Sequence, residues 1–473
     1  MDQRRVYDLA VIGSGPAGEK GAAHAAYFGK SVVMVERSDR LGGVVVNSAG
    51  VPTKTLRETA LYVTGFHRRE IYGLAMQTPP ELTMRLLRDH VQTVTDAMAA
   101  QVTGNMARHG VDVIHGTARL AGTDIVSVVG GGAARDIEAR AILVATGSRP
   151  FRPTGLPFDD PDVHDSETIL SIDSAIESVV IIGSGAIGSE YASIMAALGV
   201  KVTLVEAAPR ILAIADSDMS EELARCMVAA GIEIRTSTSA QSIAREGGRL
   251  TVTLTTGEKL FPGKVLFAVG RAANTEDLGL EELGVELDAR RSIVVDGNFR
   301  TSVPSIFAAG DVIGPPGLAS VSTEQGRIAA SAACGTAYAD SARYVAPSGV
   351  YSVPEVAWVG LTEEEARERG IAYEVGRATF QTNSRAIIGG VIEGLIKLVF
   401  DPTDLRLLGA HVVNEIAAEI IHVAQAVIQL DGNLEYFIHG SFNVPTWSEA
   451  FKMAAFDGLG KLEPAGMVRS TLR

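Results

Sequence analysis

The chain has 473 residues, 46% of them hydrophobic and 21% charged, a soluble globular balance that rules out a disordered chain and calls for two or three domains. A formal charge of −14 repels a phosphate backbone and excludes nucleic acid as the main partner. Two distant cysteines, Cys226 and Cys334, exclude a disulfide-stapled fold and offer no zinc or iron–sulfur spacing. The first apolar run, Tyr7 to Ile12, follows directly on Asp2, Arg4 and Arg5 and reads as a strand, leaving no room for a signal peptide. Without an uncharged apolar stretch of about 18 residues, the expectation is a cytoplasmic protein with no membrane span.

In chain order, the strand from Asp8 to Ile12 runs into Gly13-Ser14-Gly15-Pro16-Ala17-Gly18, a small-residue helix, and a strand from Ser31 that ends at Glu36. Residues 55 to 110 read as helices with a break at Pro79-Pro80. Val111 to Val144 reads as short strands with a turn at Gly130-Gly131-Gly132, and Arg149 to Pro153 as a Pro-rich linker. Val179 to Ile182 then runs into Gly183-Ser184-Gly185-Ala186-Ile187-Gly188, a helix from Ser189 to Leu198, and a strand from Lys201 that ends at Glu206. In both copies the acid stands 18 positions after the last glycine. From about 348, Val350 to Gly360, Tyr373 to Phe380 and Leu395 to Val399 read as strands, Ala417 to Ile428 and Ser448 to Leu459 as helices. This last region has no phosphate loop, so packing or association is its expected task.

Each copy is the strand, Gly-rich turn, helix, strand and acid of a dinucleotide-binding unit. The first glycine makes a tight turn, the second admits the pyrophosphate, and the third lets helix and strand approach. The helix N-terminus offers free N–H groups to phosphate, and the acid accepts from ribose hydroxyls. One such loop is a weak signal. Two complete copies are a specific one.

The chain resembles, end to end, the pyridine nucleotide–disulphide oxidoreductases, the flavoproteins that include dihydrolipoamide dehydrogenase. The resemblance rests on the first loop with Glu36, Leu41-Gly42-Gly43, Ala145-Thr146-Gly147, the second loop, Val269-Gly270-Arg271, Ile306 to Asp311, and Pro445 to Glu449. It implies an α/β fold with two Rossmann-like dinucleotide-binding domains and a C-terminal α+β dimerisation domain. The expected bounds are an FAD-binding domain at 1–150 and 278–347, an NAD(P)-binding domain at 151–277, and the dimerisation domain at 348–473, so that the protein would be a homodimer. Non-covalent FAD would be held by Gly13, Gly15, Pro16, Ala17, Gly18, Glu36, Arg37, Gly42, Gly43, Lys54, Ala118, Thr146, Gly147, Gly310 and Asp311, the last on the ribityl chain. NAD(H) and NADP(H) would be held as substrates by Gly183, Gly185, Ala186, Ile187, Gly188, Glu190, Glu206 and Gly270. Lys54 would lie near the flavin ring, paired with Glu190 on the nicotinamide side.

Three departures from the family bear on activity. Val45 and Gly50 stand where the disulphide members carry their two cysteines, and Val444 stands where they carry the histidine that deprotonates a thiol, although Glu449 remains. Valine and glycine cannot perform dithiol chemistry. All three losses fall on one half-reaction, and the segments Gly50 to Glu58 and Phe442 to Thr446 resemble those of the family's soluble transhydrogenase branch. The expected reaction is ping-pong hydride transfer from NADPH to flavin N5 and on to NAD+, with Lys54 and Glu190 as positioning residues. The alternative is a quinone or diaphorase-type reductase, with Val444 and Trp447 lining an apolar slot, against interface packing for Trp447. A flavin-bound sensor with little turnover is a third reading. Glu206 favours a free ribose 2′-hydroxyl, and Arg210 is either a swinging partner for a 2′-phosphate or a solvated side chain. The histidines offer no metal pair, His422 and His439 reading as packing or capping residues, and Cys226 and Cys334 as buried thiols. Thr362 reads as the cap of a helix whose first turn is Glu363-Glu364-Glu365.

Overall fold

The computed structural model describes residues 5–65, 80–130, 133–172, 175–336 and 345–462. These form two compact units, one from 5–56, 85–151 and 270–336, the other from 57–65, 80–84, 152–269 and 345–462. The expected break at Pro79 and the turn residues Gly131 and Gly132 lie outside the described residues. Pro80 opens a helix that runs to Arg108.

The first unit is built on a seven-stranded sheet. Val6–Ile12 pairs in parallel with Val32–Glu36 on one side and with Ala133–Val144 on the other. Asp112–His115 extends the parallel part, and Ile306–Ala308 pairs with the end of Ala133–Val144. Ile125–Gly130 and Thr117–Leu120 add an antiparallel flap. The central strands are buried on both faces, which is why they read as continuous apolar runs. Against them the helices Pro16–Tyr27 and Ala319–Cys334 cross closely, since a Cβ on Gly326 would lie 2.1 Å from the Ala17 carbonyl oxygen. The first two residues of the expected Pro-rich linker, Arg149 and Pro150, are strand instead: Ser148–Pro150 pairs with Arg271–Ala273.

The second unit contains a five-stranded parallel sheet in the order Glu233–Arg235, Lys201–Val205, Ser178–Ile182, Lys264–Phe267, Val163–Asp165. The helix after its Gly-rich turn spans Ala186–Ala197, beginning earlier than the sequence pattern placed it. A small antiparallel sheet of Ala240–Glu246, Arg249–Leu254 and Lys259–Leu260 is appended. The C-terminal part is an antiparallel sheet ordered Ser348–Val350, Glu355–Gly360, Leu407–Asn414, Leu395–Phe400, Glu374–Thr379. The single strand expected over Val350 to Gly360 is thus two strands paired with each other. Leu407–Asn414, the middle strand of this sheet, was not anticipated.

One face of that C-terminal sheet packs under the helices Ala417–Gln429 and Ala450–Lys461. Trp447 belongs to this core, 7% exposed and edge-on to Phe380 at 5.7 Å, so it lines no slot; Val444 is 64% exposed. On the other face Val356, Val413 and Trp358 join the core of the parallel sheet. There the fully buried Lys397 bonds Asp216 at 2.8 and 2.9 Å, Asp218 at 3.0 Å and Glu363 at 2.7 Å. The Arg377 guanidinium bonds Asp218 at 2.7 Å and Glu363 at 3.2 Å.

Candidate functional site

In the first unit the glycines of the turn differ in what surrounds them. A Cβ on Gly13 would meet the Ala145 carbonyl oxygen at 2.4 Å, and one on Gly18 the Gly13 carbonyl oxygen at 1.9 Å. A Cβ on Gly15 meets nothing within 4 Å. Packing within the protein therefore demands glycine at the first and third positions, whereas the second opens onto free space. The second unit repeats this: a Cβ on Gly183 would meet the Ala268 carbonyl oxygen at 2.5 Å, one on Gly188 the Gly183 carbonyl oxygen at 1.9 Å, and one on Gly185 nothing. Pro16 and Ala17 in the first unit, and Ala186 and Ile187 in the second, open helices whose Gly N-caps make no side-chain capping bond. Both N-termini keep their first-turn amides free of side-chain caps, with the positive end of the helix dipole beside them.

The two acids are held alike. Glu36 Oε2 accepts from the Ser14 amide at 2.9 Å and the Ser14 hydroxyl at 2.7 Å, and its Oε1 accepts from the Ser38 amide at 2.9 Å. Glu206 Oε2 accepts from the Ser184 amide at 2.8 Å and hydroxyl at 2.6 Å, its Oε1 from the Ala208 amide at 2.8 Å. Burial works against the charge of Glu206, and these bonds overcome it, holding its carboxyl below the usual carboxylate range. The serine between the glycines was present in both motifs, but its part in orienting the acid was missed.

Around the first turn, a Cβ on Gly43 would lie 2.7 Å from Gly15 Cα, so that loop sits directly against the turn. Arg37 is exposed, and Ala118 is buried on the antiparallel flap. Asp311 Oδ2 accepts from the Ser148 hydroxyl at 2.6 Å, and that hydroxyl oxygen accepts from Arg271 Nε at 2.7 Å. The Gly310 amide donates to Gln325 at 2.9 Å. Thr146 donates to the Asn274 carbonyl at 2.8 Å and accepts from the Asn274 amide group at 2.9 Å, beside Gly147. Gly270 is exposed with φ +123°, a conformation that favours glycine. Ser148, Asn274 and Gln325 support these residues and carried no signal in sequence, because their partners lie far along the chain.

Val45 lies on the short helix Gly43–Asn47, and Lys54 in the first turn of the helix Val51–Thr64, where it is half-buried. A Cβ on Gly50 would come within 2.8 Å of the Val45 carbonyl oxygen and 2.9 Å of Val45 Cγ1. The isopropyl group of Val45 thus fills the space that a side chain at position 50 would need. Lys54 belongs to the first unit and Glu190 to the second. Glu190 is 5% exposed and accepts from the Tyr351 amide at 2.9 Å.

Neither cysteine suits redox chemistry. Burial raises the Cys226 thiol to about 12 and the Cys334 thiol to about 11. Cys226 is buried as expected, whereas Cys334 is only partly so. His422 and His439 are exposed instead of packed; His439 stands in the last turn of the helix Glu435–His439, where a capping residue would, and His422 bonds Gln425 at 2.7 Å. Among the described residues no group of His, Cys, Asp and Glu has the arrangement of a metal site, and no helix is long and apolar enough to cross a membrane. Arg210, with its side chain 35% exposed, is bonded back onto the chain. Its Nη2 donates to the carbonyls of Ala213 and Ala215 at 3.3 Å each, and its Nη1 lies 3.5 Å from Glu364.

Comparison with known proteins agrees with this geometry. Residues 7–326 match the pyridine nucleotide-disulphide oxidoreductase family, and residues 346–455 match the dimerisation domain of the same family. The soluble pyridine nucleotide transhydrogenase of Mycobacterium tuberculosis (strain ATCC 25177 / H37Ra) is 40% identical over 98% of this chain and 100% of its own. That of Pseudomonas putida (strain W619) is 37% identical over 96% of this chain and 99% of its own. Among solved structures, the HOCl-induced flavoprotein disulfide reductase RclA from Escherichia coli, as its Cu(II) complex, superposes with a TM-score of 0.86 at 26% identity, covering 96% of this chain and 99% of its own. The chain belongs to the pyridine nucleotide–disulphide oxidoreductases, with an FAD- and NAD(P)-type α/β region followed by that family's dimerisation domain.

Proposed function

We propose that the protein binds FAD at the first Gly-rich turn and nicotinamide nucleotides at the second, and transfers hydride between NADPH and NAD+ without a disulphide. The relatives named transhydrogenase support this reading. The open space at Gly15 and Gly185 fits a pyrophosphate at each turn, and Glu36 and Glu206 keep lone pairs for ribose hydroxyls. FAD, when bound, accepts a hydride from one nicotinamide and returns it to another, which makes the sequence ping-pong. The chain supplies position and charge: Asp311, fixed by Ser148, would hold the ribityl chain, and Lys54 would offer a cation to the flavin ring. The proposed domain bounds, the cytoplasmic location and the homodimer go with this reading.

The observation that carries it is the filled space between Val45 and Gly50. By resemblance, Val45 and Gly50 stand where disulphide members of the family would carry their redox pair, while both dinucleotide turns keep an open second glycine and a bonded acid. The test uses purified protein without oxygen, following transfer from NADPH to thio-NAD+ and then replacing the acceptor with a soluble quinone. Fast transfer between nucleotides, with parallel double-reciprocal plots and slow quinone reduction, is expected. The reverse ranking would overturn the proposal in favour of a quinone reductase.

A further inference from the structure

The turn after the strand Lys201–Val205 carries Glu206 and, four residues on, Arg210. It is stapled in place: the Leu212 amide donates to the Ser184 carbonyl at 2.9 Å, and the Ser220 hydroxyl donates to the Ile211 carbonyl at 2.6 Å. Within this fixed turn the Arg210 guanidinium folds back on the chain, against the carbonyls of Ala213 and Ala215 and the carboxylate of Glu364. Glu364 comes from a distant part of the sequence, and two devices fix it there. Its Oε1 accepts from the Ser217 amide at 3.1 Å, at the N-terminus of the helix Ser217–Ala229. Its own helix, Glu363–Glu368, is oriented by a capping box between Thr362 and Glu365.

A ribose 2′-phosphate is a dianion that guanidinium groups recognise well. The cation nearest in sequence to Glu206 is the one that Glu364 neutralises and turns inward. We propose that Glu364 is a positioning residue that sets nucleotide specificity: by holding Arg210 back it tilts the second site toward nucleotides with a free 2′-hydroxyl. The inference rests on assigning that turn to a nicotinamide nucleotide. It goes beyond that reading in naming a residue of the C-terminal region that decides between the two nucleotides. The side chains of Arg210 and Glu364 are 35% and 27% exposed. Such a partly screened pair shifts the preference by roughly two- to fivefold, not by orders of magnitude. The site therefore still admits a 2′-phosphorylated nucleotide.

The variant Glu364→Gln keeps an oxygen for the Ser217 amide while losing the charge. Full-length, flavin-loaded protein is titrated calorimetrically with AMP and with 2′-phospho-AMP, probes that need no hydride transfer. Glu364→Gln is expected to tighten 2′-phospho-AMP roughly two- to fivefold and to leave AMP unchanged. Glu364→Ala should act in the same direction, and adding Arg210→Met should cancel the gain. An unchanged ratio of the two affinities in both Glu364 variants would overturn the inference, as would a gain that survives Arg210→Met. Failure of AMP to bind any variant would remove the nucleotide site itself, a result distinct from an unchanged ratio. Loss of transhydrogenase turnover with the ratio shifted as expected would count against the proposed reaction alone.

Discussion

At the residue scale, the two Gly-rich turns separate positions that serve the fold from positions that serve the ligand. Gly185 has φ −64°, which alanine adopts without strain, and its Cβ would enter open space. Gly185→Ala should therefore leave stability within about 0.5 kcal/mol of the parent while weakening NAD(H) binding, as melting and titration would check. Gly188→Ala places a methyl 1.9 Å from the Gly183 carbonyl oxygen and should cost about 2 kcal/mol or more of stability. Equal stability in the two variants would refute the distinction. Buried Glu355 offers a second residue-scale test. It is 6% exposed, accepts from the Ala418 amide at 3.0 Å, and lies 3.4 Å from the guanidinium of Arg57, which also donates to the Ser352 carbonyl at 3.0 Å. Burial pushes its carboxyl up to about 7, against the pull of Arg57 and the Ala418 bond. An acid raised in the folded state holds a proton there that the unfolded chain has already lost, so its contribution to stability falls as pH climbs from about 4.5 to about 7. Denaturant titrations should show a decline of at most about 3 kcal/mol over that window, flattened in Glu355→Gln.

At the scale of single elements, the helix Glu363–Glu368 depends on its start. The Thr362 hydroxyl accepts from the Glu365 amide at 3.1 Å, and the Glu365 carboxylate accepts from the Thr362 amide at 3.0 Å. Thr362→Ala should cost about 1 kcal/mol in urea unfolding, and Thr362→Ser should restore most of it. This capping box was legible because its signals lie within four residues of each other, and so were both βαβ turns with their acids. Leu407–Asn414 was not. It runs through the middle of a sheet covered on both faces and includes Gly409, Ala410 and His411, so it shows neither alternation nor a β-branched run. The place of Trp447 in the core, instead of a slot or an interface, was hidden because its contact with Phe380 joins positions far apart in sequence. For the same reason the return of Arg210 onto Glu364 was invisible: local sequence shows an arginine in a turn, whereas its partner arrives through the tertiary fold.

For the molecule as a whole, the ionic cluster around Lys397 decides how the second unit behaves. Lys397 and Asp216 are both fully buried, and Asp216 also caps the helix Ser217–Ala229 through the Asp218 amide at 3.0 Å. Removing the cation in Lys397→Met would leave Asp216 and Asp218 with Arg377, and Glu363 with Arg377 and Arg367. The expected cost is about 3–5 kcal/mol, little affected by salt, with partial recovery on adding Asp216→Asn. A loss below about 1 kcal/mol in denaturant melts would show the cluster to be dispensable. Since the acids Asp216 and Asp218 belong to the nucleotide-binding part and the cations Lys397 and Arg377 to the C-terminal sheet, neither part is electrically complete without the other. Recombination between related chains is constrained accordingly. A C-terminal segment grafted onto a foreign nucleotide-binding half would bury Lys397 and Arg377 with Glu363 as their shared acid unless Asp216 and Asp218 travelled with it, so these positions, far apart in sequence, form a single unit of inheritance.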